Sequence, residues 1–127
     1  MDIRCIENVA SLGAHQDSVA NWWLYEPREL KSKTLGGFLE LVAEFEVKGG
    51  CEIHAHKHHT CEFYYVLSGR GLMTIEGETR TIGQGDLVSI PPDALHSLKA
   101  VSEHASIRCL AFSMGLKDTA PVDYKAQ

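Results

Sequence analysis

No stretch of this 127-residue chain is both long and apolar enough to cross a bilayer, and Met1 to Glu7 lack the basic-then-apolar order of a secretory signal. The expectation is a cytoplasmic protein with no membrane partner. Clustered lysine and arginine are also missing, and at a formal charge of −5 there is no basic patch to neutralise phosphates, so no nucleic-acid partner is expected. The four cysteines (Cys5, Cys51, Cys61 and Cys109) are scattered without a CxxC pair, in a chain large enough to fold without disulfides; reduced thiols are expected. No composition shift, Gly/Ser-rich linker, internal repeat or low-complexity run divides the chain, which predicts one domain over 1–127.

A long apolar stripe of period 3.6 is absent as well, and long helices with it. Nearly every segment after Thr34 instead alternates at period two and is broken by Gly, Pro or Asp. In Phe38 to Val47 the positions Leu39, Leu41, Ala43, Phe45 and Val47 are apolar while Glu40, Glu44 and Glu46 share the other face. Further strands are expected over Cys51–Lys57, Phe63–Leu67, Leu72–Glu76, Thr79–Ile82, Leu87–Ile90, His96–Ala100 and Ser106–Met114. Gly77-Glu78 is a hairpin signal of the II′ kind. So many short strands must close on themselves to hide their edges, which makes the chain all-β, a sandwich or barrel. An irregular N-terminal arm over 1–34 precedes a barrel core over 35–114, and a polar tail occupies 115–127. Trp22, Trp23 and Tyr25 in the arm are expected at the barrel mouth, in a subunit contact, or simply as apolar packing.

Three histidines and one glutamate stand at fixed offsets: His56, His58 and Glu62, then His96 after Pro91-Pro92. Imidazole and carboxylate suit a divalent transition metal. On a strand, residues two apart share a face, so His54, His56 and His58 are expected to project together. After the turn His59-Thr60-Cys61, Glu62 opens an antiparallel strand that returns its carboxylate to them. Three imidazoles and one carboxylate leave an octahedral ion two positions for substrate, water or dioxygen. Tyr64, two residues beyond Glu62, shares its face; it is either a packed phenol satisfied by one hydrogen bond or, beside a dication, a catalytic base. His54 is placed on the pocket wall, as a proton shuttle or as packing or an outer contact, and Glu52 on the same inward face. His59 is expected to be exposed, and Cys51 and Cys61 to be inert.

Gly50-(X)5-His56-X-His58-(X)3-Glu62-(X)6-Gly69 resembles the first motif of the cupin family at every spacing, and Gly85-(X)5-Pro91-(X)4-His96 resembles the core of the second. The likeness covers Gly50 to Ala100. It departs from the family at Asp93, where Gly is usual, and at Ala100, where Asn is frequent. The resemblance implies a jelly-roll barrel, the double-stranded β-helix of cupins. It also implies one divalent transition metal per chain (iron, manganese, nickel or zinc) on His56, His58, Glu62 and His96, and a homodimer. Cupins with this ligand set include dioxygenases, decarboxylases, sugar-phosphate isomerases and lyases, while others only bind ligands. The expected function is therefore a metal-dependent enzyme, dioxygenase or isomerase in type, acting on a small oxygen-rich metabolite, with Tyr64 and His54 as catalytic candidates. Two alternatives stay open. One is a lyase with Tyr64 as base, similar to small cupins that cleave dimethylsulfoniopropionate; the other is a binding or sensor module without turnover.

Overall fold

The computed structural model describes residues 2–118 and 120–122. Among them the period-two patterning becomes strands β1 (Leu12–Ala14), β2 (Val19–Tyr25), β3 (Gly37–Val47), β4 (Glu52–His56), β5 (Cys61–Ser68), β6 (Arg70–Ile75), β7 (Glu78–Gly83), β8 (Leu87–Ile90), β9 (His96–Ala100) and β10 (Ile107–Leu116). The other regular elements are two short 3-10 turns, Ile6–Asn8 and Lys31–Lys33. No helix of the described residues is long and apolar enough to cross a membrane. Six strands form one antiparallel sheet in the order β1-β2-β3-β10-β5-β8, and four form a second in the order β4-β9-β6-β7. Neighbours distant in sequence, such as β3 beside β10 and β4 beside β9, give the two-sheet jelly roll.

The inner faces of the sheets meet in one core. Phe45, Val47, Val66 and Ile107 of the larger sheet belong to the same buried cluster as Ile53, Met73 and Leu98 of the smaller. Each such side chain removed from water contributes about 1.5–3 kcal/mol.

Three expectations need correction. The arm before Thr34 is not irregular: it supplies β1 and β2, and β2 pairs with β3, Trp23 lying opposite Ala43. Val19-Ala20-Asn21-Trp22-Trp23-Leu24-Tyr25 is apolar at nearly every position, so it shows no alternation to read. Its aromatic residues are engaged within the chain. Trp23 is buried, the Arg108 guanidinium sits 4.2 Å from the Trp22 ring centre, and that of Arg4 sits 3.9 Å from Tyr25.

In β3, Leu39 and Glu40 exchange the sides expected of them. Leu41 is paired with Ser113 and Leu39 with Met114, so Glu40 is an extra residue in a bulge that turns it inward, to 1% exposure, and leaves Leu39 outside. Glu40 meets Arg28 at 3.5 Å; burial raises its pKa while the Arg28 charge opposes that rise. In the β6–β7 hairpin, Ile75 pairs with Glu78, so the loop is Glu76-Gly77 and not Gly77-Glu78. Both loop residues have positive φ (47° and 81°), the I′ pattern in place of II′. The tail beyond β10 was expected to be polar; residues 119 and 123–127 of it lie outside the described residues.

Candidate metal centre

The site is assembled from both sheets. In the β4–β9 pair Ile53 lies opposite Leu98 and His56 opposite His96, so three steps along β4 match two along β9 and one residue is extra. That bulge sets Ile53 and His56 on the same inner side, although an odd and an even position of a regular strand would face opposite ways. His56 and His96 consequently meet across the pair, with ring centres 4.4 Å apart. His58 follows in the loop after β4 and is buried; Glu62 and Tyr64 enter from β5, two residues apart on its inner face.

One nitrogen from each of His56, His58 and His96 lies within 4.8 Å of the others. The Glu62 carboxylate stands beside them, with Oε2 3.5 Å from His58 Nε2 and Oε1 3.8 Å from His96 Nε2. The ring orientations are fixed by the backbone. His56 donates from Nδ1 to the His54 carbonyl at 2.7 Å, and His96 from Nδ1 to the Ala94 carbonyl at 2.8 Å. A carbonyl can only accept, so both Nδ1 atoms carry the proton and both Nε2 atoms present a lone pair. His58 Nδ1 is 2.8 Å from the buried Thr60 hydroxyl, which can accept in the same sense.

Burial pushes the pKa of His58 and His96 down to about 4 and lowers that of His56 as well, so the rings are neutral near pH 7. Burial pushes Glu62 the other way, to about 7, against a hydrogen bond from Tyr64 that lowers it. Buried His96 Nε2 has no hydrogen-bond partner among the described residues. Three neutral imidazoles pointed together, one with a buried orphan lone pair, and a carboxyl oxygen beside them form a donor set that fits a divalent ion, whose charge would favour the ionised form of Glu62.

Above the imidazoles is an open cavity of about 70 Å³. Its wall is largely apolar, with Trp23, Leu41, Phe45 and Ala111 among the lining residues, and its polar groups are His15, Asn21, Tyr64, Glu62, His56 and His58. No lysine or arginine is among the lining residues. Tyr64 is buried and its ring meets Phe45 edge-on, with centres 4.8 Å apart.

Two residues expected on the inward face are not there. His54 falls within the β4 bulge and turns outward, its side chain 56% exposed, and its neighbour at 3.9 Å is Glu52, itself half-exposed. The extra residue reverses the parity on which the pocket-wall placement of both rested. What His54 gives the site is its carbonyl, which holds the His56 ring. His59 is exposed and pairs with Asp93 at 2.9 Å. Asp93, standing where Gly is usual, adopts a left-handed backbone (φ 62°) that Asp tolerates better than most side chains, and its amide donates to the His58 carbonyl at 2.9 Å. Burial pushes the Cys109 thiol up to about 12, and it is inert.

His15, Asn21 and Thr60 belong to the site without having been expected there. The hydroxyl of Thr60, two residues after a histidine, was a readable hint. His15 and Asn21 arrive through tertiary pairing of an apolar segment and carry no local signal.

A family model of the cupin domain matches residues 43–112, more than half of the chain. The chain is a cupin. Over 66 residues this cupin is 39% identical to an uncharacterized protein of Methanocaldococcus jannaschii, a match covering 51% of this chain and 53% of that protein. Over 62 residues it is 39% identical to the dimethylsulfoniopropionate lyase DddW of Ruegeria pomeroyi, covering 49% of this chain and 40% of the lyase. The cupin thus spans about half the length of the curated relatives it matches. Among solved structures, a predicted oxalate decarboxylase of Thermotoga maritima superposes with a TM-score of 0.76 at 20% identity, over 91% of this chain and 100% of that one. KdgF of a Halomonas species does so at 0.69 and 18% identity, over 89% and 93%. These likenesses establish the fold, the jelly-roll barrel of cupins.

Proposed function

We propose that His56, His58, His96 and Glu62 hold one divalent transition metal (iron, manganese, nickel or zinc) per chain, and that this cupin is an enzyme moving a proton on a small oxygen-bearing acid in the cavity above them. The observation that carries this reading is the hydrogen bond between Tyr64 and the buried Glu62, which places an ionisable phenol at the cavity wall beside the imidazoles. When bound, the ion would supply a Lewis acid that polarises an oxygen of the substrate. Tyr64 would take or return the proton, with Glu62 orienting its hydroxyl, while Leu41, Phe45 and Trp23 keep bulk water from the reacting end. A wall without lysine or arginine argues against a phosphorylated substrate, and so against a sugar-phosphate isomerase.

The similarity to a dimethylsulfoniopropionate lyase over 62 residues favours elimination, a carbon-bound proton leaving together with a group on the next carbon. Dioxygen chemistry is the competing reading, which oxygen uptake on adding Fe²⁺ and candidate acids would support. The decisive experiment joins elemental analysis to turnover. His56→Ala, His58→Ala and His96→Ala should each abolish stoichiometric metal. Tyr64→Phe should keep the metal, lose at most about 1–2 kcal/mol of stability, and lower turnover by roughly 10²–10⁴-fold. Full metal and full activity in Tyr64→Phe would remove Tyr64 from the chemistry.

Two further readings belong here. Leu39, Met114 and Leu116, exposed on adjoining ends of β3 and β10, support a homodimer built on that outer face, to be checked by light scattering at micromolar concentration. Four free thiols support a reducing, cytoplasmic setting.

A further inference from the structure

The cupin match begins at residue 43, yet Ala14, His15, Val19, Asn21 and Trp23 of the β1–β2 hairpin line the cavity. This hairpin closes the site with side chains from outside the matched region. Two of them are polar. His15 is half-buried, with its ring centre 5.5 Å from that of His56, and Asn21 is half-buried on β2, paired with Leu12 on one side and Phe45 on the other. Neither side chain has a hydrogen-bond partner among the described residues, so the donor and acceptor capacity of both is open to a group bound in the cavity they line. The turn that presents His15 is held: residues 15 to 17 are left-handed, the Ser18 amide donates to the His15 carbonyl at 3.1 Å, and Lys48 Nζ donates to the Asp17 carbonyl at 3.0 Å.

We propose that His15 and Asn21 form a specificity subsite that hydrogen-bonds the far end of the substrate, selecting a short acid with a hydroxyl or carbonyl at that end over one with an apolar tail. The inference rests on the metal-site reading above. At one end the acid meets the imidazole cluster; two or three carbons away its second oxygen meets the imidazole of His15 and the amide of Asn21. Both groups offer donor and acceptor capacity, which suits a neutral oxygen. A tail that offers no hydrogen bond leaves both unpaired, and discrimination of this kind exceeds what shape alone provides.

The test uses the full chain loaded with Zn²⁺ and two probes of nearly equal shape, 3-hydroxypropionate and butyrate, whose affinities are compared by calorimetry. The parent should favour 3-hydroxypropionate by about tenfold, the value of one or two hydrogen bonds. His15→Phe and Asn21→Leu should each cut that ratio by at least about threefold, with zinc content unchanged. Asn21→Leu sits in paired, extended backbone and keeps the test open if the left-handed backbone at residue 15 rejects Phe. A parent that binds no zinc overturns the metal-site reading. Stoichiometric zinc, with either equal affinity of the parent for both probes or a preference that survives both substitutions, overturns the subsite.

Discussion

At the scale of single residues, the site depends on groups that never touch a ligand. The carbonyls of His54 and Ala94 and the hydroxyl of Thr60 each take one imidazole by its Nδ1 side, leaving Nε2 to the site. Of the three only Thr60 can be altered by a side-chain change. Thr60→Val keeps volume and branching but removes the acceptor, so the His58 ring loses both its orientation and its tautomeric preference. Metal affinity is expected to fall about 10–100-fold, measured by competition with a chromophoric chelator, while the circular dichroism spectrum stays that of the parent. Equal affinity would mean that burial alone orients His58.

At the scale of elements, strand existence was legible and strand parity was not. β3, β5, β8, β9 and β10 fall where alternation placed them, because period two is a local property of the sequence. Leu39, Glu40, Glu52 and His54 were misplaced for a single cause: a bulge shifts every side chain on one flank of it to the other face, and nothing in the bulged residues announces it. That His56, His58, Glu62 and His96 come together was readable from spacing. The hairpin wall was not, since it depends on how an apolar N-terminal segment pairs with β3. Gly69, between β5 and β6, shows a glycine requirement that sequence does suggest. Its φ is +81°, and a Cβ there would lie 2.1 Å from the Ser106 carbonyl oxygen. Gly69→Ala is expected to cost roughly 1–3 kcal/mol through the left-handed backbone alone, with the clash adding to it. Urea denaturation would read the shift, and a midpoint within error of the parent would show that the β5–β6 connection gives way freely.

At the scale of the whole molecule, the buried titratable groups set how the metal-free chain responds to acid. The unfolded chain binds protons on its histidines near pH 6.5, whereas His15, His58 and His96 do so near pH 4 when folded. Acidification from pH 6.5 to 4 therefore favours unfolding. Glu62 acts oppositely: its folded pKa of about 7 against 4.5 adds stability at low pH that is lost as pH rises through 7. Four imidazoles, with His56 lowered as well, outweigh two carboxylates, with buried Glu40 raised as well, so metal-free stability should fall as pH drops from 6.5 towards 4, by about 1.4 kcal/mol per pH unit for each net proton taken up. Thermal melts across that range would check the sign; a melting temperature that rises on acidification would contradict it. A second consequence follows from where the four proposed ligands sit. His56 and His96 belong to the four-stranded sheet and Glu62 to the six-stranded one, and these sheets share no ladder. An ion held by all of them would act as a rivet through two plates whose facing sides pack by apolar contact. Chelation should then loosen both plates in concert: amide hydrogen exchange in β4, β9 and β5 should quicken together, whereas β7, far from the rivet on its own plate, should keep its pace.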